Sequence, residues 1–276
     1  MLVKVWEKKF DAEVRALDRG DVNQDGIDEI VLACWDSRVY LLSGSGEVIW
    51  TSKKEEYPCE NVSILYNSIG KPYLIVASCH KKVLCLDTNA NRIWTLNLDS
   101  WISGLYVYRK EGYPDRIIAV DLKRNIYFIS PDDGQVLWSA KEIVYPWLKT
   151  VALCPHKNNI IVLRGQRLSV FEEDGKLIKN IKLRSRALAI DNGVLMRIDR
   201  NLYAIGFDDG VEIYDEAWRR IQRIKLKRQG MFRIVKFMDV DMDGDDELIV
   251  GSWLGHKITI YKACLLYTSP SPRDRG

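Results

Sequence analysis

A tryptophan that recurs at a constant interval is the feature that most restricts the fold of this chain. Four tryptophans stand 44 residues apart, at Trp6, Trp50, Trp94 and Trp138. Two further copies of the surrounding segment continue the series, with Lys179 and Gln222 at the tryptophan position. A repeat of roughly 20–50 residues indicates a chain built from similar units that bury their apolar faces against their neighbours.

Each copy contains two apolar segments separated by turn-forming residues. The longer segment is illustrated by "DEIVLACW" and "PYLIVASC", and the shorter one by "SRVYLL" and "KKVLCL". Short runs rich in β-branched and aromatic residues, bounded by Gly, Asp and Asn, are typical of strands and hairpins. No stretch shows a sustained helical period. Each copy is therefore predicted to form four β-strands.

Four strands in about 44 residues correspond to one blade of a β-propeller. The expected fold is all-β: one β-propeller domain over residues 1–263, with six blades' worth of strands. Continuous apolar runs predict strands that are buried on both faces between neighbouring blades. The outer tryptophan is predicted to pack between blades rather than to bind a ligand.

The repeat series is incomplete at both ends. Residues 3–10 match only the last strand of a blade, and residues 231–262 supply only the first three. Together they are predicted to form one mixed blade, in which the N-terminal strand completes the last blade and closes the ring at six. The alternative is a longer natural protein with seven or eight blades.

The C-terminal tail, residues 264–276, breaks the repeat pattern. From Cys264 to Asp274 the sequence "CLLYTSPSPRD" resembles a translated sequencing adapter. The tail is interpreted as non-native and disordered and is excluded from the fold. The natural chain is expected to continue beyond Ala263.

The composition is that of an ordinary globular protein, with 47% apolar and 29% charged residues and a net charge of +3. No apolar run is long enough to span a bilayer, and the start lacks a signal-type apolar core. A cytoplasmic location is therefore predicted. The cysteines are irregularly spaced without a CxxC pair, which favours free buried thiols over a disulfide framework or a zinc site. Outside the C-terminal tail, which holds Cys264, the cysteines are Cys34, Cys59, Cys79, Cys85 and Cys154.

Two acid-rich stretches, residues 19–35 and 237–253, each lead into an apolar run. Oxygen-bearing side chains alternate along them before a glycine, as Ca²⁺ requires when it collects six to eight oxygen ligands at about 2.3–2.6 Å. The predicted ligands of the first loop are Asp21, Asn23, Asp25, the carbonyl of Ile27, and Glu29. Those of the second loop are Asp239, Asp241, Asp243, the carbonyl of Asp245, and Glu247.

Two other structures could account for these loops. An EF-hand needs a glutamate at the twelfth place between helices, but Leu32 and Val250 stand there inside predicted strands. Asx-turns, in which the carboxylates bond only to their own backbone, remain an alternative. Asp28 and Asp246 directly precede the two glutamates, so either carboxylate of each pair is a candidate to close its loop.

The segments "DVNQDGIDEIVLA" and "DVDMDGDDELIVG" resemble the calcium loops of FG-GAP or VCBS repeats in integrin-α-like propellers. The segments "GEVIWT" and "GQVLW" resemble the quinoprotein-like blade of the PQQ or WD40 type. The loop resemblance covers two of six blades, and it departs from the family pattern in having Glu at the ninth place. It implies structural Ca²⁺ and a role as a protein-binding scaffold or assembly subunit, as in integrins and ciliary coat complexes.

The sequence shows no nucleophile elbow, HExxH or phosphate-binding loop. The chain is therefore predicted to be a non-enzymatic interaction scaffold with protein partners. A quinoprotein enzyme of the PQQ type is the alternative that the blade resemblance raises, although fold alone does not carry chemistry.

Basic residues alternate with apolar ones on the outer strands of blades 4 and 5, which predicts one charged and one buried face. They are Lys182, Arg184, Arg223, Lys225 and Lys227. Such a surface could bind RNA, an acidic protein or an anionic membrane. A solvated strand edge, where lysines discourage aggregation, is favoured over nucleic-acid binding.

Overall fold

The computed structural model describes residues 6–110, 112–123, 125–141, 151–156, 159–194, 201–226, 232–252 and 257–262. All regular secondary structure in these ranges is β-strand. They accordingly include no helix that is long and apolar enough to cross a membrane. The chain divides into two units. The first comprises Met1–Val151, Lys157–Ile160 and Val170–Lys179, and the second comprises Ala152–His156, Ile161–Ser169 and Asn180–Gly276.

Three sheets of the first unit are each built from four consecutive strands, and every strand runs antiparallel to its neighbours. Sheet 1 contains Val14–Gly20 (β1), Glu29–Cys34 (β2), Arg38–Leu42 (β3) and Val48–Thr51 (β4). Sheet 2 contains Cys59–Tyr66 (β5), Pro72–Cys79 (β6), Lys82–Asp87 (β7) and Arg92–Asn97 (β8). Sheet 3 contains Ile102–Tyr108 (β9), Arg116–Asp121 (β10), Asn125–Ile129 (β11) and Val136–Lys141 (β12).

Sheet 4 contains Val151–His156 (β13), Asn159–Arg164 (β14), Arg167–Glu172 (β15) and Leu177–Lys182 (β16). The second unit holds sheets 5 and 6. Sheet 5 contains Ala187–Val194 (β17), Asn201–Phe207 (β18), Gly210–Tyr214 (β19) and Arg220–Lys225 (β20). Sheet 6 contains Phe232–Met238 (β21), Glu247–Ser252 (β22) and Lys257–Tyr261 (β23).

The four-strand unit predicted from the repeat is confirmed in sheets 1 to 5. In the described part of the chain sheet 6 has three strands, in the order β21-β22-β23. Residues 6–10, part of the strand predicted over residues 3–10, carry no strand. Residues 3–5 and the tail from Cys264 onward lie outside the described residues. The assignment of residues 1–263 to one domain stays a prediction.

The central strands are buried on both faces, which confirms the interpretation of the continuous apolar runs. In β6, Ile75 and Ala77 join a core with residues of sheet 1, whereas Leu74 and Val76 join a core with residues of sheet 3. A third core of the same kind lies between sheets 5 and 6. Fully burying one such aliphatic side chain contributes about 1.5–3 kcal/mol, so sheets stacked face to face stabilise one another.

The tryptophans of the outer strands bond to the next sheet, which confirms their predicted packing role. Each indole N–H donates to a carbonyl oxygen in the turn before the next sheet's outer strand. The bonds run from Trp50 to Thr88 (2.9 Å), from Trp94 to Pro131 (2.7 Å) and from Trp138 to Glu173 (2.8 Å). Trp6 makes the equivalent bond to Gly44 of sheet 1 (2.9 Å), although it lies outside any strand.

A glycine in the turn makes room for the indole. Gly134 has a φ of 72°, and its backbone N–H donates to the Ser130 carbonyl (3.1 Å). A Cβ at this position would lie only 2.7 Å from the Trp94 ring. The glycine is thus needed both for its left-handed backbone and for the close approach of the ring.

Sheet 5 solves the same packing problem in a different way. Its turn carries Trp218 at the left-handed position, with a φ of 63°. The Trp218 ring stacks on Tyr203 of its own sheet, with a centroid distance of 4.4 Å and an interplanar angle of 15°. The preceding outer strand, β16, has Lys179 where earlier repeats have tryptophan. At this point of the repeat the tryptophan stands in the turn of sheet 5, and the preceding outer strand has none.

The expectation of free thiols is wrong for one pair of cysteines. Cys59 and Cys79 form a disulfide, because antiparallel pairing of β5 with β6 sets them directly opposite each other. Cys34 and Cys85 are buried free thiols, as expected, and burial raises the pKa of Cys85 to about 12. The side chain of Cys154 lies outside the described residues. Disulfides are typical of oxidising compartments, so this bond does not support the predicted cytoplasmic location. That location stays a prediction.

The contact between Trp94 and Gly134 yields a test against a matched glycine. We expect Gly134→Ala to destabilise the protein more than Gly70→Ala. Gly70 has a similar φ of 75°, but a Cβ there would meet no atom within 4 Å. Both alanines carry the left-handed backbone cost of about 1–2 kcal/mol. Only Gly134→Ala adds overpacking, which costs about 1–3 kcal/mol more. Urea unfolding measures both, and equal losses would show that the ring does not constrain this turn.

Candidate functional site

The first acidic loop, between β1 and β2, is ordered by bonds from its own backbone. The Asp21 carboxylate accepts the N–H groups of Asp25 (2.9 Å) and Gly26 (3.0 Å). Glu29 is 2% exposed, and its Oε2 accepts the N–H groups of Val22 (2.9 Å) and Asn23 (3.2 Å). These bonds turn the carboxylates at the first and ninth places toward the inside of the loop.

The second loop, between β21 and β22, repeats this arrangement. The Asp239 carboxylate accepts the N–H groups of Asp243 (3.1 Å) and Gly244 (2.9 Å). Glu247 is 3% exposed, and its Oε2 accepts the N–H of Val240 (3.0 Å). The same three bonds therefore define both loops, as their matching sequences predict. The Asx-turn geometry is therefore present. These backbone bonds do not use the Oε1 atom of Glu247.

The glutamates, rather than the preceding aspartates, face into the loops. Asp28 points away and forms an ion pair with Arg19 (2.8 Å). Asp246 Oδ2 accepts the N–H of Val194 (2.8 Å) and thereby joins β17 to sheet 6. Of each neighbouring pair of carboxylates, the glutamate is the one in position to close the loop.

Three carboxylates converge in the second loop. One oxygen from each of Asp239, Asp241 and Glu247 lies within 4.8 Å of the other two. The buried Oε1 of Glu247 accepts no hydrogen bond. Buried carboxylate oxygens require a donor or a cation, and clustered carboxylates repel unless a positive charge offsets them. The donor set is all oxygen and anionic, which fits a hard divalent cation such as Ca²⁺.

A lysine that the sequence analysis did not single out supplies positive charge to this cluster. Lys262 Nζ lies 2.6 Å from an oxygen of Asp241, 2.5 Å from one of Asp243 and 3.7 Å from Glu247 Oε1. The hydrogen bonds to Asp241 and Asp243 raise the pKa of Lys262 above its ordinary value. The lysine therefore stays protonated and occupies part of the space between the carboxylates.

The first loop contains an amide in place of the ammonium group. Asn23 Nδ2 donates to Asp25 Oδ2 (3.0 Å) and to Glu29 Oε1 (2.9 Å). In sheet 1, Ser43 follows Leu42, the partner of Ile30, whereas in sheet 6 Lys262 follows Tyr261, the partner of Leu248. The first loop thus has fewer charges, and a neutral donor bridges them.

The basic residues predicted on the outer strands of sheets 4 and 5 fall into two groups. Lys182 and Lys225 are exposed, and Lys227 lies outside the described residues. Arg184 and Arg223 instead bond to acidic groups of sheet 5. Both pair with Asp209 and with the fully buried Glu212. Much of the positive charge of these two arginines is therefore offset within the protein. Binding of an acidic partner by this surface stays a prediction.

Glu212 is the centre of a polar cluster in the second unit. Arg184 Nε donates to its Oε1 (2.7 Å), Arg220 adds a contact at 3.2 Å, and the Tyr214 hydroxyl donates to Oε2 (2.6 Å). The Arg184 guanidinium also lies over the Phe207 ring, with Cζ 4.3 Å from the centroid. A buried carboxylate with this many partners is expected to hold the sheet together rather than to act on a ligand.

A cleft between the turns of sheets 2 and 3 has a volume of about 660 Å³. The polar groups Arg109 and Asp115 in its wall bond to each other and to neighbouring protein groups. Arg109 lies over the Tyr66 ring at 4.5 Å and donates to Asp115 Oδ2 (3.1 Å). The Asp115 carboxylate also accepts the Tyr66 N–H (2.8 Å), which ties sheet 3 to sheet 2.

Residues 4–103 match the family model of the lambda-carrageenase β-propeller domain. These residues cover sheets 1 and 2. A curated relative, lambda-carrageenase of Pseudoalteromonas carrageenovora, is 25% identical over 130 residues. That match covers 46% of this chain and spans only 13% of the relative's length.

Solved structures resemble nearly the whole chain. The computationally designed protein Ika8 matches with a TM-score of 0.68 and 13% identity, over 91% of this chain and 71% of its own. BBS1N, solved in complex with ARL6DN and soaked with lead, matches with a TM-score of 0.66 and 14% identity. That match covers 95% of this chain and 85% of BBS1N. The chain has a β-propeller fold.

The same comparisons contradict the prediction that the protein is not an enzyme. Both sequence matches are to lambda-carrageenase, which is an enzyme. The prediction rested on the absence of sequence motifs for nucleophiles, metals and phosphates. The match to the propeller domain over residues 4–103 was found without any of those motifs, so a motif search could not detect it.

The ion pairs of Asp209 give a test with a defined pH dependence. The hydrogen bond from Arg184 lowers the Asp209 pKa, and the charges of Arg184 and Arg223 lower it further. Its ionised form therefore stabilises the fold above the unfolded-state pKa of about 3.9, and this stabilisation is lost as pH falls through the lower folded-state pKa. Because Asp209 is partly exposed, Asp209→Asn should cost less than about 1 kcal/mol at pH 7.

Urea unfolding between pH 7 and pH 2 measures this effect. The stability difference between wild type and Asp209→Asn should shrink toward zero at the acidic end. Asp208→Asn is the matched control, because Asp208 takes part in none of these ion pairs. A difference that is independent of pH would show that the Asp209 ion pairs do not contribute.

Proposed function

We propose that this chain is a calcium-stabilised β-propeller that forms part of a carbohydrate-active protein. The observation that carries the calcium part is the convergence of Asp239, Asp241 and Glu247, with the Oε1 atom of buried Glu247 accepting no hydrogen bond. The match to a carrageenase propeller domain over residues 4–103 supports the carbohydrate-active part.

The residues that would hold Ca²⁺ are those at alternate places of each acidic loop, together with the glutamate that faces into the loop. In the second loop they are Asp239, Asp241, Asp243, Glu247 and the carbonyl of Asp245. In the first loop they are Asp21, Asn23, Asp25, Glu29 and the carbonyl of Ile27. Bound Ca²⁺ would supply positive charge that offsets carboxylate repulsion. Because each glutamate begins the strand that follows its loop, its fixed position holds that hairpin together.

Thermal unfolding tests the calcium proposal. Saturating Ca²⁺, at about 100 times the dissociation constant, should stabilise the wild type by about 2.7 kcal/mol and raise Tm by about 5 °C or more. A double variant, Asp241→Asn with Glu247→Gln, should show a smaller shift, because it removes two converging charges of the second loop while keeping the side-chain shapes and leaving the first loop intact.

Asp246→Asn is the matched control, since Asp246 neighbours Glu247 but faces Val194. It should keep the full Ca²⁺ shift. If calcium leaves the wild-type Tm unchanged, or if the double variant responds as strongly as wild type, the second loop is not a calcium site.

Lys262 should act as a built-in competitor of the metal. Lys262→Met removes the ion pairs with Asp241 and Asp243, so Ca²⁺ should bind about five- to tenfold more tightly. Isothermal titration calorimetry measures the dissociation constants. The matched control is Lys257→Met at the other end of β23, which should leave the affinity unchanged. Weaker or unchanged binding in Lys262→Met would contradict the competitor role.

Protein binding is a second candidate function, and the outer edge of β23 favours it. Within the described residues no fourth strand pairs with this edge, and Ile258 and Ile260 are 71% and 51% exposed. An open edge with apolar side chains can accept a strand from another segment or a partner protein. Ile258→Lys would then reduce capture of that partner without changing the Ca²⁺ response.

A further inference from the structure

An exposed aromatic surface lies at the edge of the first unit, at the opposite end of β1 from the acidic loop. Its large rings are Trp35 in the β2–β3 turn, Tyr57 before β5 and Trp101 before β9, which are 45%, 38% and 41% exposed. His80 connects two of them: its ring stacks on Tyr57 at 4.3 Å and contacts Trp101 at 4.9 Å. Exposed aromatic rings gathered in one place are typical of binding surfaces.

The rings are held in place by backbone hydrogen bonds. The Trp35 N–H donates to the Glu13 carbonyl (2.9 Å), and the Trp101 carbonyl accepts the Leu122 N–H (2.8 Å). The His80 carbonyl accepts the Ile102 N–H (2.8 Å). The bond between His80 and Ile102 connects sheets 2 and 3, whereas the other two bonds lie within sheet 1 and within sheet 3. A surface fixed in this way loses little conformational freedom when a ligand binds.

A groove of about 290 Å³ runs beside Trp101 and has a polar floor. Asn61 Nδ2 donates to Ser78 Oγ (2.8 Å), which leaves its Oδ1 as an acceptor. Ser103 Oγ donates to the Val120 carbonyl (3.2 Å) and keeps acceptor capacity. Glu60 adds a carboxylate. Arg15 uses one guanidinium nitrogen for Glu13 (2.8 Å) and retains further N–H donors.

This combination matches the chemistry of a sugar ring. A pyranose presents C–H groups on one face, which pack on an indole whose π-face carries partial negative charge. Its edge carries hydroxyl groups, each of which needs an acceptor and can use a donor. The volume is close to the lower limit of small-molecule sites, about 300–1,000 Å³, and is sufficient for one sugar unit of a longer chain.

We propose that this groove binds a sugar unit of a polysaccharide, with Trp101 stacking on the ring and Asn61, Ser103, Glu60 and Arg15 bonding to its hydroxyls. Trp35 extends the site, because the Arg15 guanidinium that lines the groove also lies 5.2 Å from the Trp35 ring centroid. The inference rests on the proposed carbohydrate-active role and names the surface that would perform it.

Calorimetric titration of the full chain tests the site with two probes. The probes are sulphated galactan oligosaccharides from λ-carrageenan and neutral galactan oligosaccharides from agarose, which share the sugar ring and differ in charge. We expect binding to at least one series. Trp101→Ala should weaken it about tenfold or more, whereas Trp101→Phe, which keeps an aromatic face, should retain most of the affinity.

Tyr113→Ala is the matched control, since Tyr113 is 56% exposed but lines the separate cleft of sheets 2 and 3. It should bind as wild type does. The proposal is overturned if neither series binds, if Trp101→Ala binds normally, or if Tyr113→Ala loses binding instead. The Ca²⁺-dependent Tm shift of the same variants is read separately, so failure of the sugar site is distinguishable from failure of the calcium loops.

Discussion

Burial of each central strand on both faces is the constraint on which the rest of this structure depends. A strand such as β6 sends alternate side chains into two different cores, so neither core exists without both neighbouring sheets. The indole bonds add direction to this packing, because each tryptophan reaches one particular carbonyl of the following turn. Non-directional apolar burial and a directional hydrogen bond therefore act together to set the spacing between neighbouring sheets.

The sequence predicts the repeated part of the fold well, because the signals for each strand and turn lie within a few consecutive residues. Trp50 and Trp94 mark outer strands, and the continuous apolar run "YLIVAS" marks a strand with two buried faces. Local sequence patterns do not reveal which residues face each other across paired strands. Cys59 and Cys79 are 20 residues apart and meet only through the pairing of β5 with β6.

The candidate calcium site also combines features that the local sequence predicts with features that depend on strand pairing. Its ligand residues follow from their alternate spacing along one loop, but the choice between Glu247 and Asp246 depends on which side of the strand each faces. Lys262 lies fifteen residues beyond Glu247 and reaches the loop because β22 and β23 run antiparallel. Pairing "ELIV" with "ITIYK" in register places this lysine beside the glutamate. The signal was therefore present in the sequence but required a strand alignment to be seen.

The tryptophan in the turn of sheet 5 limits how these repeats can be rearranged. A glycine such as Gly134 leaves a slot that an incoming indole fills, whereas the corresponding turn position of sheet 5 is Trp218, which stacks on Tyr203 of its own sheet. If a gene duplication placed a copy of sheet 5 directly after sheet 1, Trp50 would meet a turn that lacks this glycine. The repeats are thus similar in shape but not interchangeable in order.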